Sequence, residues 1–157
     1  MIQVGDKLPA AEITIINKDG QQSVQASDYF AGKKVVLIAV PGAFTPTCSE
    51  THLPGYVVNY DALTSKGVDE VACLSVNDSF VMTSWQKAQN AEHLTMIADG
   101  GGALTKALGV DLDTGGFGGV RSTRYSMIID DGVATTINME EGTGFEVSSA
   151  EKILEQL

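Results

Sequence analysis

Positive charge is scarce in this chain. Lysine and arginine together number 10 against 20 aspartates and glutamates in 157 residues, a formal charge of −10. A surface with that balance repels nucleic-acid phosphates and anionic lipid headgroups, so neither is an expected partner. Arginine occurs only at Arg121 and Arg124, both inside "GGVRSTRYS". Cysteine is equally rare: Cys48 and Cys73 could form one internal bridge at most, and a domain of this length needs no such staple. Free thiols are the expectation. No segment approaches the ~20 apolar residues of a membrane span. The start "MIQVGDKLPAAE" has neither the basic opening nor the apolar stretch of a signal peptide, which makes the cytoplasm the expected location. Two cysteines and the two histidines, His52 and His93, would equal a zinc ligand set only if all four were used. Their spacing matches no standard zinc motif, so no metal is expected. Repeats and low-complexity tracts are absent too, and residues 1–157 read as one domain.

What is present is an alternation of strands and helices. "VVLIAV" (35–40), apolar throughout and stopped by Pro41-Gly42, reads as a strand buried on both faces. Leu53, Tyr56, Val57, Tyr60 and Leu63 then fall at helical spacing up to Gly67. Pro54 withdraws the hydrogen bond to the Glu50 carbonyl and predicts a kink. "VDEVACLSV" (68–76) completes a right-handed β-α-β unit. "NDSFVMTSWQKAQ" predicts a helix capped by Asn77 or Asp78, presenting Phe80, Val81, Trp85 and Ala88 on one side. A strand "TMIA" and a helix "GALTKAL" follow. "VDLDTGGFGGVRST" has no periodicity and predicts a loop long enough to be functional. "RYSMIID" and "VATTINM" around "DDG" form a hairpin, and "SSAEKILEQL" a last helix with Ser148 and Glu151 as a capping box. A β-α-β half followed by a β-β-α half is the order of a thioredoxin-like α/β fold, here with an N-terminal extension and an inserted strand and helix.

Cys48 stands out within "PGAFTPTCSETHLPGY". An ordinary thiol, with pKa near ~8.5, is only a few per cent thiolate at neutral pH. Bringing it to ~6 requires about 3.4 kcal/mol of differential stabilisation. A helix N-terminus supplies ~0.3–1 kcal/mol, up to ~2 when partly buried, and therefore falls short. A hydroxyl at Thr45, an arginine opening "RYSMII" and the free amides of Thr47 and Cys48 could make up the difference. The competing reading, a small buried residue, fits Cys73 between Val71, Ala72 and Leu74 better than Cys48, whose loop-helix junction lacks the apolar neighbours of a core strand. His52, four residues after Cys48, raises a Cys-His hydrolase dyad but has no further partners in the sequence; a local hydrogen bond is its expected role. His93 reads as a solvated surface residue.

The stretch "PGAFTPTCSETHLPGY" resembles the active-site signature of the peroxiredoxins, in particular the type-five branch related to plant type II and to glutathione- or glutaredoxin-coupled bacterial enzymes. The likeness continues through "ACLSVNDSFVM" and "RYSMIIDDG". It implies that Cys48 attacks the terminal oxygen of a hydroperoxide, becoming a sulfenic acid. Thr45 would hold thiolate and peroxide, Arg124 would stabilise the developing charge, and Pro41 would shield the sulfur. The amides of Thr47 and Cys48 would bind substrate oxygen. Arg124, rather than Arg121, takes the family's place before an aromatic residue and a serine. Thioredoxin-type disulfide exchange needs Cys-x-x-Cys, and Thr45 stands at its first position. Some type-five relatives carry a resolving cysteine in the loop that here reads "GTGFEVSS", with Val147 at the matching place. The resemblance therefore implies a one-cysteine cycle without cofactor, reduced by glutathione, glutaredoxin or thioredoxin, in a homodimer for which Phe44, Phe80 and Trp85 are candidate surface aromatics, with a place in the core an equally good reading of all three. The alternative is a peroxide sensor that passes oxidation from Cys48 to a partner protein.

Overall fold

A computed structural model describes residues 1–141 and 144–157. Seven strands form one sheet in the order β2-β1-β5-β4-β3-β8-β9. β3 (Lys34–Ala39), β4 (Glu70–Ser75) and β5 (Thr95–Ala98) run parallel in its centre. β8 (Tyr125–Asp130) and β9 (Val133–Met139) close one side as an antiparallel hairpin; β1 (Glu12–Asn17) and β2 (Gly20–Gln25) extend the other. The expected β-α-β and β-β-α halves thus meet at the β3–β8 pairing, and the N-terminal extension becomes two added strands.

The apolar run of β3 is buried on both faces because side chains alternate across a strand. Val36, Ile38 and Cys73 face one layer with Leu53, Tyr56, Leu63, Trp85 and Ile153. Those residues belong to α2 (Leu53–Val58), α3 (Tyr60–Ser65), α4 (Ser79–Ala88) and α6 (Ala150–Gln156). Val35, Leu37 and Leu74 face the opposite layer, where Phe30, Leu104 and Leu108 pack after α1 (Ala26–Tyr29) and on α5 (Ala103–Leu108). Among the described residues no helix is long and apolar enough to cross a membrane.

Four expectations change. "VDLDTGGFGGVRST" is not a featureless loop: β6 (Asp111–Asp113) pairs with β7 (Val120–Ser122) around a glycine-rich turn. Asp78 caps α4 by accepting from the Val81 amide, but the buried face is Met82, Trp85 and Gln86, while Phe80 projects into solvent at 84 % exposure. Trp85 is wholly buried and is no surface aromatic. The last helix is capped one residue later than the box predicts, by Ser149 accepting from the Lys152 amide, because the Ser148 hydroxyl is drawn to Glu140.

Candidate active site

The chain leaves β3 at its C-terminal end and turns over the sheet edge. Phe44 takes the left-handed conformation at φ 64°, and the Ala43 amide is held by Asn77 Oδ1 at 3.1 Å. A helical turn starts after Thr45, whose carbonyl accepts from the Ser49 amide at 2.9 Å. The amides of Thr47 and Cys48 have no backbone partner among the described residues, as expected of a first turn. Cys48–His52 then forms a π-turn in which the Leu53 amide reaches back to the Cys48 carbonyl. Pro54 explains its position: with no N–H to give to Glu50, it opens the ladder at this turn, and the predicted kink takes the form of a widened turn.

Cys48 is 1 % exposed and part of the apolar layer that also holds Cys73, which corrects the expectation that it lacks core neighbours. Its sulfur is met by charge from across the fold. Arg124, itself buried just before β8, donates from Nη2 to Cys48 Sγ at 3.2 Å. Its Nη1 lies 2.9 Å from His52 Nδ1. His52 Nε2 lies 3.0 Å from the Ser148 carbonyl, which also accepts from the Tyr56 hydroxyl at 2.7 Å. A carbonyl can only accept, so Nε2 carries the ring proton and Nδ1 is left to accept from arginine. Burial, reinforced by the Arg124 charge, lowers His52 to about 3 and keeps it neutral. Behind this pair, Glu140 Oε2 accepts from the amides of Glu146, Val147 and Ser148, each at 2.8 Å, and from the Ser148 hydroxyl at 2.7 Å. Burial alone would raise the Glu140 carboxyl; these donors outweigh it and hold it below the usual carboxylate range.

A cavity of about 350 Å³ is lined by Pro41, Thr45, Pro46, Thr47, Arg124, Thr114 and Phe117. Of the residues expected at the site, Pro41, Thr45, Thr47 and Arg124 line this opening, and Cys48 reaches it through its contact with Arg124. Thr45 differs in one respect: its hydroxyl donates to the Gly42 carbonyl at 2.6 Å, not to sulfur, leaving oxygen lone pairs to accept a hydrogen bond from a bound hydroperoxide. The arrangement offers a sulfur nucleophile, a guanidinium and two open amides to a substrate with a weak O–O bond. These are the donors that an alkoxide or hydroxide leaving group needs.

The sequence left four contributors unassigned. His52 makes long-range contacts to Arg124 and Ser148 in place of the local bond expected. Glu140 had no motif to mark it. Thr114 and Phe117 lie in the glycine-rich segment, whose length was the one available signal. His93 is exposed and stacks edge-on against Tyr60, with ring centroids 4.6 Å apart. Cys73 lies fully buried in β4, and burial pushes its thiol up, with the neighbouring Cys48 adding to the effect. Both cysteines are free. No group of three or more His, Cys, Asp or Glu among the described residues could hold a metal ion.

Comparison with known proteins agrees with this geometry. The sequence model of the redoxin family matches residues 3–154. Peroxiredoxin-2D of Arabidopsis thaliana is 46 % identical over 99 % of this chain and 98 % of its own length. Chloroplastic peroxiredoxin-2E-2 of Oryza sativa subsp. japonica is 47 % identical over 99 % of this chain and 72 % of its own. Reduced Prx3 of Vibrio vulnificus, solved in complex with H2O2, is 58 % identical, covers 99 % of both chains and superimposes with a TM-score of 0.96. With its thioredoxin-like fold and a buried thiol held by an arginine that lines a cavity, the chain belongs to the redoxin family, among the peroxiredoxins of the type II and related bacterial branch, and acts as a thiol peroxidase in antioxidant defence.

Proposed function

We propose that peroxide reduction runs through Cys48 alone, in a one-cysteine cycle whose reductant is glutathione or glutaredoxin, with thioredoxin as the other candidate. The observation that carries this reading is the 3.2 Å contact of Arg124 Nη2 with Cys48 Sγ beside the cavity, while the second thiol lies in β4 with no opening toward solvent. The Cys48 thiolate attacks the terminal oxygen of a hydroperoxide. The S–O bond forms as the O–O bond breaks, sulfur is oxidised to sulfenate, and the departing oxygen leaves as water or alcohol after taking a proton. Thr45 Oγ1 accepts a hydrogen bond from the substrate O–H, whose proton passes to the departing oxygen, while Arg124 and the amides of Thr47 and Cys48 stabilise the oxygen charge and Pro41 limits water access. No cofactor takes part. An external thiol condenses with the sulfenic acid to a mixed disulfide with loss of water, and a second thiol releases the Cys48 thiolate.

Val147, at 36 % exposure, stands where some type-five relatives place a resolving cysteine; Gly142 and Thr143 of that loop lie outside the described residues. We further infer a cytoplasmic homodimer joined near Phe44 and Phe80, which are 54 % and 84 % exposed. Steady-state turnover of hydrogen peroxide with glutathione alone, with glutathione and glutaredoxin, and with a thioredoxin system tests the cycle. Glutathione or glutaredoxin is expected to sustain many turnovers. A single turnover under all three conditions would favour the sensor, which discharges only to a partner protein.

A further inference from the structure

Arg121 takes no part in the chemistry above, yet both of its hydrogen bonds end on the frame of the cavity. Nε donates to the Gly118 carbonyl at 3.0 Å, and Nη1 donates to the Val76 carbonyl at 2.9 Å. Gly118 belongs to the turn between β6 and β7 that puts Thr114 and Phe117 on the cavity. That turn is stiff within itself: the Thr114 amide and hydroxyl both donate to the Gly119 carbonyl, at 2.8 and 2.6 Å, and the Phe117 amide donates to the Thr114 carbonyl at 3.2 Å. Arg121 is its side-chain tie to the rest of the fold, and the far end of the tie is the turn after β4.

The same turn holds the other wall. Asn77, next to Val76, accepts the Ala43 amide through Oδ1 and is steadied by the Ser75 hydroxyl at 2.5 Å. Val76 and Asn77 therefore anchor the segment carrying Thr45 and Cys48 and, through Arg121, the segment carrying Thr114 and Phe117. Gly118 is fitted to the guanidinium: a Cβ there would lie 2.7 Å from Arg121 Nε and Nη2.

We propose that Arg121 is a positioning residue that fixes Thr114 and Phe117 as a wall of the cavity and so sets the preference for hydroperoxides bearing an apolar substituent over hydrogen peroxide. The inference rests on the peroxidase chemistry of Cys48. Hydrogen peroxide has no group that extends beyond the reacting oxygens, whereas an arylalkyl hydroperoxide has one that must lie against the lining.

Single-turnover oxidation of the reduced chain by hydrogen peroxide and by cumene hydroperoxide, quenched and read by mass, tests this without any reductant. A wild-type chain that reacted with neither would count against the peroxidase reading itself, not against the role of Arg121. In Arg121→Leu the ratio of the cumene hydroperoxide rate constant to that of hydrogen peroxide is expected to fall by about tenfold, the scale of an apolar pocket contact. Gly118→Ala, which keeps the charge but displaces the guanidinium, is expected to lower the ratio as well. Arg121→Lys, with one donor group in place of the fork, should fall between Leu and wild type. An unchanged or increased ratio overturns the proposal. So does a ratio that falls in Arg121→Leu but not in Gly118→Ala, or that falls only in step with a shift in the Cys48 thiolate titration, since either result assigns the effect to charge. If Arg121→Leu does not fold, Gly118→Ala and Arg121→Lys decide.

Discussion

Acid should unfold this protein partly through His52, and His52→Gln isolates the effect. The imidazole is 1 % exposed, donates to the Ser148 carbonyl and accepts from Arg124, so a second ring proton would have to displace a guanidinium. Its value is about 3 in the folded chain against 6.5 for a free histidine. The folded value is the lower one, so between these limits the unfolded chain binds the extra proton and stability falls as pH falls. Well above pH 6.5 neither state is protonated and the residue contributes no slope. One proton corresponds to at most about 1.36 kcal/mol per pH unit, and the unfolded histidine is half protonated at pH 6.5, so going from about pH 6.5 to 4.5 removes about 2.3 kcal/mol through His52 alone. Glutamine does not titrate. Urea unfolding of both chains at a series of pH values is the assay. The difference in unfolding free energy is expected to narrow by that amount across the window, whatever its size at neutral pH. A difference that stays constant from pH 6.5 to 4.5 would refute the neutral, locked histidine and with it the assigned tautomer.

Other outcomes follow from the same geometry. Cys48→Ser should abolish oxygen addition on mixing with one equivalent of peroxide, whereas Cys73→Ser should retain the fast phase; mass measurement with a sulfenic-acid trap distinguishes them, and the reverse pattern would exchange the roles of the two thiols. Arg124→Met removes a charge-assisted hydrogen bond worth ~1.5–3 kcal/mol and should slow peroxide oxidation by about 10- to 150-fold in stopped flow. An effect under threefold would show that the guanidinium does not act on the reacting atoms. Glu140→Gln leaves four donors facing a neutral amide and should lower stability by roughly 2–3 kcal/mol in denaturant titration, given the strength of hydrogen bonds to a charged acceptor. No change would mean that the loop before α6 holds itself without the carboxylate.

The fold, and the meeting of Cys48 with the arginine that opens "RYSMII", were readable in the sequence because both rest on local signals. A six-residue apolar run, a proline-flanked cysteine and a cluster of the two arginines in "GGVRSTRYS" each declare themselves within a few residues. Contacts that join distant segments left no such mark. His52 and Ser148 are 96 positions apart, and nothing in "SETHLP" says that the ring turns inward to meet a carbonyl near the chain's end. Trp85 takes the core place, one of the two open to it, and helical spacing alone selects a face without saying which face the sheet will cover. The answer came from Met82 and Gln86, together with the hydrogen bond from Trp85 Nε1 to Ser49 Oγ at 3.0 Å. Ser148 was assigned to a cap on pattern alone. The buried Glu140 carboxylate accepts from both the Ser148 hydroxyl and its amide and so holds the side chain toward itself, leaving the cap to Ser149 Oγ, which accepts from the Lys152 amide.

The anchoring of residues 146–148 on Glu140 ties the far end of the polypeptide to its chemistry. The backbone that leads into the closing helix is also the backbone that orients the imidazole behind the reactive sulfur. A substitution that disturbs α6 is therefore not a neutral change. Whatever loosens the seating of that helix relaxes the carbonyl against which the histidine rests, and the disturbance reaches the thiol by way of the arginine.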